Sequence, residues 1–414
     1  MTRNIIALIG LVLLAGCSGG GGDPATTSSV PSPPPAIPTA QPDMLVATSD
    51  GLWRGKANGQ GGVVLAKPNL QQETVLLSEG QIFYSRGRGV AKEDIWTVRA
   101  DGTGDHVVLN TPEREVLKAA SSPWLIYTLV DTQNTESRSL RLDTQAQFVL
   151  DDTGYPAEFL FFQNQQRVMV IEEYVISSKT PRGTDPVTSI DLTGQQQGAG
   201  ASIAGVWIVD DLLLYRVNTS GSDFFSSHLF AVPLAGGATV QLDDAQTNAD
   251  TALPSGRRMV YEHCSATGVS ICDISSVNLD GTGKVTLANL PANEALQGVT
   301  TSQAIIRRNL PNNDQLIAVP VTGGPEKLLM SMTNNEFVDL TVGDLIIVRR
   351  LSGTWSLDLN GTLTKLGTVV GDSGFIAVGD SVCVTKVTAV WCMPLDGSGP
   401  QVKIADEGKV VGVL

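Results

Sequence analysis

Residues 95–104 read IWTVRADGTG, and HVVL follows at 106–109. The first half alternates as a strand does, and the second run is a returning strand. Between them Asp101-Gly102 suits a tight hairpin turn, whose central residues need positive φ. The same grammar recurs down the chain at Asn58-Gly59, Asp101-Gly102, Asp143-Thr144, Thr193-Gly194, Gly236-Gly237, Asp280-Gly281, Gly323-Gly324, Asn360-Gly361 and Asp396-Gly397. Successive turns are 43, 42, 50, 43, 44, 43, 37 and 36 residues apart.

Each unit carries four strand-like runs, for example ETVLLS, QIFYSR, DIWTVRA and HVVLN, or GVWIVD, LLLYRV, HLFAVPL and TVQLD. No long segment beyond the first residues has helical periodicity. Four short strands at a period near 42 are the pattern of a β-propeller blade, and single four-stranded sheets must pack around an axis to bury both faces. The fold expected is therefore all-β, one propeller of eight or nine four-stranded blades over residues 43–414. The first unit has only three strands, MLVATS, LWRGKA and VVLAK, and the chain ends on a lone strand, KVVGVL. Pairing that last strand with the first blade would close the ring and remove an open edge.

Two stretches carry a family resemblance. PSGRRMVYEHCSATGVSICDISSVNLDGTGKVTLANL (254–290) and QIFYSRGRGVAKEDIWTVRADGTGDHVVLN (81–110) resemble the TolB-type, WD40-like propeller repeat. HLFAVPLAGG and AVWCMPLDGSG are similar to the related repeats of bacterial envelope lipoproteins. The resemblance implies fold alone. TolB has an α/β domain ahead of its propeller, whereas here the first strand, MLVATSD, follows a tether, so TolB's partnerships are not carried over.

The chain opens MTRNIIALIGLVLLAGC. Arg3 is a short positive region, and the apolar run from Ile5 to Leu14 would make roughly 15 Å of helix, half of a bilayer core of about 30 Å. That length fits a signal peptide over residues 1–16, not a membrane span. Leu14-Ala15-Gly16-Cys17 resembles the bacterial lipobox, which implies lipidation of Cys17. Two or more acyl chains would anchor stably where one is marginal. With Ser18 rather than Asp after the cysteine, the resemblance implies outer-membrane sorting, facing the periplasm or the cell surface. Residues 17–42, SGGGGDPATTSSVPSPPPAIPTAQP after the cysteine, have almost nothing apolar to bury and read as a tether.

The formal net charge is −14, with 28 basic and 42 acidic residues. An acidic chain with scattered Lys and Arg is a poor partner for nucleic acid or anionic lipid, so the membrane contact expected is the lipid itself. A monomer is expected.

Four cysteines remain beyond Cys17, as two close pairs: Cys264 with Cys272, and Cys383 with Cys392. Neither pair is C-x-x-C, which weakens redox and zinc readings. Each pair falls on the second and third strands of a unit. Opposed residues of antiparallel neighbours lie about 4.5–5.5 Å apart, within disulfide reach. In an exported protein two disulfides are expected, each adding no more than about 2–3 kcal/mol because the loops are short.

Catalytic signals are thin. Gly371-Asp372-Ser373-Gly374 resembles the serine motif of chymotrypsin-like proteases, but His106, His228 and His263 stand on three different units, outside that family's histidine context. The ordinary reading is a turn opening the strand GFIAVGD. Asp358-Leu359-Asn360-Gly361 echoes part of a calcium loop without its distal Glu. The pairs Asp151-Asp152, Asp210-Asp211 and Asp243-Asp244 follow apolar strands and are expected to be solvated loop ends. No cofactor, metal or phosphate site is expected.

Arginine alone recurs in register: Arg216, Arg257, Arg258, Arg307, Arg308, Arg349 and Arg350 fall at or beside the second strand of four units. Facing one rim, they would form a basic binding patch for an anionic ligand or acidic partner; the ordinary alternative is strand ends paired with neighbouring blades. The function expected is a non-enzymatic, membrane-anchored scaffold that binds another envelope protein or a polymer. The alternative is a propeller enzyme or small-ligand sensor that uses the central channel. Buried carboxylates, His or Arg converging at the axis would favour the second; a flat face with exposed aromatics would favour the first.

Overall fold

The structure is a computed structural model that describes residues 43–48, 51–66, 75–87, 92–130, 135–152, 157–162, 167–172, 175–191, 201–220, 225–235, 237–243, 247–248, 251–265, 272–288, 294–311, 313–370 and 373–413. The leader, Cys17 and the tether lie outside these residues, as do Thr193-Gly194, Gly236, Asp244 and Gly371-Asp372.

The described strands form nine four-stranded antiparallel blades arranged as a β-propeller. Blade 2 spans 75–109, blade 3 114–151, blade 4 158–191, blade 5 202–241, blade 6 252–288, blade 7 294–332, blade 8 337–367 and blade 9 373–405. Blade 1 is composite: Lys409–Val413 pairs with Asp43–Thr48, which pairs with Gly51–Lys56 and then Val63–Ala66. First strands of successive blades touch one another, so they are the inner strands; Lys409–Val413 takes that place in blade 1.

Why the ring closes at nine is visible in its cores. Nine apolar clusters fill the nine gaps between consecutive blades, including Met44 and Val46 of blade 1 against Val378, Cys383, Val390 and Cys392 of blade 9. Each sheet buries both faces on its neighbours, as a lone sheet could not.

The hairpin turns behave as their residues demand. Gly59, Gly102, Gly281, Gly323, Gly361 and Gly397 all have positive φ, between 67° and 88°. In three of them the aspartate before the glycine completes the turn: Asp101 Oδ1 accepts from Thr103 N at 2.9 Å, Asp280 Oδ1 from Thr282 N at 2.9 Å and Asp396 Oδ1 from Ser398 N at 2.8 Å. At the third unit, Gln145 rather than Asp143 or Thr144 takes positive φ, at 58°. Asp358 accepts from the amides of Asn360 (2.8 Å) and Thr362 (2.7 Å), so it too is a turn acceptor.

Because strands alternate in direction, these turns and the turns between first and second strands share one face of the ring, the turn face. The blade-to-blade connections lie on the other, the linker face. One departure from the repeat joins blades 5 and 6 into a single sheet. Thr247–Asn248 pairs in parallel with blade 5 (Asn248 opposite Ser227) and antiparallel with blade 6 (Asn248 opposite Cys264).

Cys383 and Cys392 are opposed in register and joined by a disulfide, Cα–Cα 4.0 Å. Cys264 and Cys272 are likewise directly opposite in register, while their side chains lie outside the described residues. No described helix is long and apolar enough to cross a membrane.

Candidate functional site

The seven arginines do not make one patch. Arg257 and Arg258 lie at the start of the second strand of blade 6 (Arg258–Ser265), on the turn face. Arg307, Arg308, Arg349 and Arg350 close the second strands of blades 7 and 8 (Gln303–Arg308 and Leu345–Arg350), on the linker face. All seven are partnered. Arg257 Nη1 lies 3.1 Å from Asp210 Oδ2, and Arg258 donates to Ser276 and Asn278. Arg307 Nε donates to Asp314 at 3.0 Å, Arg308 Nε to Glu294 at 2.8 Å and Arg308 Nη1 to Glu326 at 2.9 Å. Arg349 lies 3.1 Å from Asp339, and Arg350 donates to Glu336. Arg216 stands opposite Leu229 and Gly205 in blade 5. The expectation of one basic rim is corrected: the chain answers these arginines internally and splits them between faces.

Their recurrence has a structural cause. Glu294 and Glu336, both 4% exposed, stand at the starts of the inner strands of blades 7 and 8, beside Arg308 and Arg350. Burial pushes the Glu294 carboxyl up, while Arg308 opposes that shift through its hydrogen bond and charge. Removing either partner would leave a buried charge uncompensated.

The acidic pairs also divide. Asp151 and Asp243 are buried (4% and 7% exposed), contrary to the expectation of solvated loop ends, whereas Asp210 and Asp211 are exposed. Asp243 Oδ2 lies 3.5 Å from His228 Nδ1, and burial raises the Asp243 pKa. His106 is exposed with Nδ1 2.7 Å from Gly104 O, and the His263 side chain lies outside the described residues. Ser373 and Gly374 open the inner strand of blade 9.

Where the inner strands of blades 4 and 5 (Glu158–Phe162 and Ser202–Val209) reach the turn face, they frame a cleft of roughly 410 Å³. Phe161, Ile208, Pro233, Leu234 and Ala235 give it apolar walls, and Asp210 and Asp211 supply carboxylates. The two aspartates form the turn that follows the blade 5 inner strand. Asp210 holds a φ of 53°, unusual for a residue with a side chain, and Asp211 O accepts from Leu234 N at 2.8 Å. That bond ties the acidic turn to the far wall. The Asp210–Arg257 pair is exposed on both sides (52% and 66%), so it contributes little stability and can exchange. An apolar slot with adjoining carboxylates at the channel mouth can hold a cation that carries an apolar body. Sequence patterning did not reveal it, because its walls come from two blades whose relation only folding sets.

No family model matches the chain, and no curated protein does. Solved structures do. An oligogalacturonate lyase in complex with manganese has a TM-score of 0.44 at 11% identity over 77% of this chain and 98% of that one. A puromycin-hydrolyzing peptidase of Mycobacterium tuberculosis has 0.45 at 11% over 72% and 55%. A puromycin hydrolase has 0.42 at 16% over 81% and 53%, so the chain spans about half the length of these last two proteins. The likeness is one of fold. These neighbours are enzymes, which corrects the expectation of a non-enzymatic scaffold: the fold gives no ground for setting chemistry aside. Among the described residues the exposed large apolar side chains are aliphatic apart from Phe337.

Proposed function

We propose that this chain is a ligand-binding propeller that takes a small cationic molecule with an apolar body in the cleft between blades 4 and 5, at the turn-face mouth of the channel. The observation that carries the reading is the pairing of Phe161 and Ile208 on adjoining inner strands with the Asp210-Asp211 turn above them. A cation there would replace the exposed Arg257 guanidinium at Asp210, and its apolar part would leave water against the five apolar residues. The anchor belongs to the same proposal. Signal cleavage before Cys17 and lipidation of its thiol would hold the ring at the outer membrane on the tether of residues 17–42.

Thermal-shift titration tests the ligand class with phenethylamine, phenylethanol and phenylacetate. The amine should raise the melting temperature saturably, and the alcohol and acid should not. The Asp210→Asn/Asp211→Asn double variant should lose the response. Equal responses to all three compounds, or an unchanged response in the double variant, would overturn the reading. Cys17→Ser should abolish fatty-acid labelling; normal labelling would remove the anchor.

A further inference from the structure

The turns that lead into the second strands of blades 5 and 6 are equivalent in build and opposite in charge. Asp211 O accepts from Leu234 N at 2.8 Å, and Arg257 O accepts from Leu279 N at 3.1 Å. Arg257 therefore takes in blade 6 the place that Asp211 has in blade 5. The residues ahead of them match as well, since Asp210 has a φ of 53° and Gly256 one of 54°.

This build sets the Arg257 guanidinium between two carboxylates. On one side its Nη1 lies 3.1 Å from Asp210 Oδ2, in the wall of the cleft. On the other stands Asp280, which follows Leu279, the residue bonded to the Arg257 backbone. Hydrogen bonds from Thr282 hold the Asp280 carboxyl below the ordinary aspartate range, and the charge of Arg257 adds to that effect. Exposure separates this arginine from those that serve structure alone. Arg308 is 7% exposed and held by both Glu294 and Glu326, whereas the Arg257 side chain is 66% exposed. An exposed pair of this kind contributes little, so its partners exchange readily.

We propose that Arg257 is a built-in competitor for the cationic half of the cleft, alternating between Asp210 and Asp280 and yielding Asp210 when a ligand arrives. The inference rests on the reading of the cleft as a cation site and adds its regulation. A competitor in the same chain lowers the apparent affinity by the fraction of molecules in which Asp210 is free. For an exposed pair that is a factor of about two to six. Asp280 is thereby linked to the cleft without touching the ligand: drawing Arg257 toward blade 6 opens the site, and weakening Asp280 closes it.

The test is calorimetric titration of the mature chain with phenethylamine, with phenylethanol as the uncharged control. Arg257→Ala should bind the amine about two- to sixfold more tightly than the wild type. Asp280→Asn, which keeps the acceptor oxygen of its turn, should bind it more weakly. That loss should vanish in the Arg257→Ala/Asp280→Asn double variant. Arg141→Ala removes another turn-face cation, one paired with Asp143 at 2.9 Å, and should leave the affinity unchanged. Selective amine binding that is equal in the wild type and Arg257→Ala would overturn the competitor and leave the cleft reading standing. So would a gain in Arg141→Ala as large as that in Arg257→Ala, or an Asp280→Asn loss that persists without Arg257. No preference for the amine over the alcohol in any of these proteins would overturn the cleft reading and the competitor with it.

Discussion

Met44 Sδ lies 3.8 Å from Cys383 Sγ, and it is equally close to the bonded partner sulfur of Cys392. The contact joins the second strand of blade 1 to the disulfide of blade 9, at opposite ends of the chain. The bridge therefore does more than staple one hairpin, because it presents a packed sulfur surface to the seam where the ring closes.

Met44 is fully buried in that seam. Met44→Ala should cost about 2–5 kcal/mol in chemical denaturation, as large-to-small core changes do. The loss should shrink in a Cys383→Ala/Cys392→Ala background, since the residues touch and their effects couple. Strict additivity would mean that the seam does not depend on this contact.

Closure itself rests on the C-terminal strand. Leu45 opposes Gly412, Val46 opposes Val410, and Val411 is the bulged residue between them. Just before the strand, Gly408 has a φ of 138°, and a Cβ there would sit 2.4 Å from Ala47 O. Gly408→Ala should therefore weaken the ring through backbone as well as space. Deleting residues 409–414 bares the inner edge of blade 1, and hydrogen exchange should show the amides of Leu45, Val46 and Ala47 losing protection. Full protection in the truncated chain would mean that blade 1 is built without its C-terminal strand.

The pH dependence of stability has a definite sign at Glu115. Burial raises its folded-state pKa above the ordinary glutamate value of 4.5. The folded state then holds the proton more tightly than the unfolded state. Its contribution is present below that ordinary value and is lost as pH rises through the raised one. Glu115→Gln should be more stable than the wild type at neutral pH. That advantage should vanish as the pH falls toward the ordinary glutamate range. An advantage constant with pH would place the effect elsewhere.

The ring was legible because its period is carried by local chemistry. Asp280-Gly281 and Asp101-Gly102 specify a turn whatever surrounds them, and alternating strands on either side fix the blade. Closure was legible from the same grammar, since KVVGVL had no partner strand of its own. The blade number was left at eight or nine because blade 1 is divided between the termini; nine filled gaps decide it. Burial resisted reading. Glu294 in PANEALQ looks like a loop residue, yet the packing of blade 6 against blade 7 puts it out of water beside Arg308. The arginine rhythm was plain, but strand direction, which places Arg258 and Arg308 on opposite faces, belongs to the assembled ring. The cleft needed Phe161 and Ile208 from different blades, and no local pattern joins them.

Ligand binding at the Asp210-Asp211 turn is tested most directly by carboxyl footprinting. The mature chain is treated with a water-soluble carbodiimide and glycine ethyl ester, with and without saturating phenethyltrimethylammonium, the quaternary form of phenethylamine that cannot couple to an activated carboxylate, and modified carboxylates are mapped by mass spectrometry. Protection confined to Asp210 and Asp211, with exposed Asp143 and Asp406 unchanged, is the predicted result. Undiminished modification of both aspartates in the presence of the quaternary cation would contradict it.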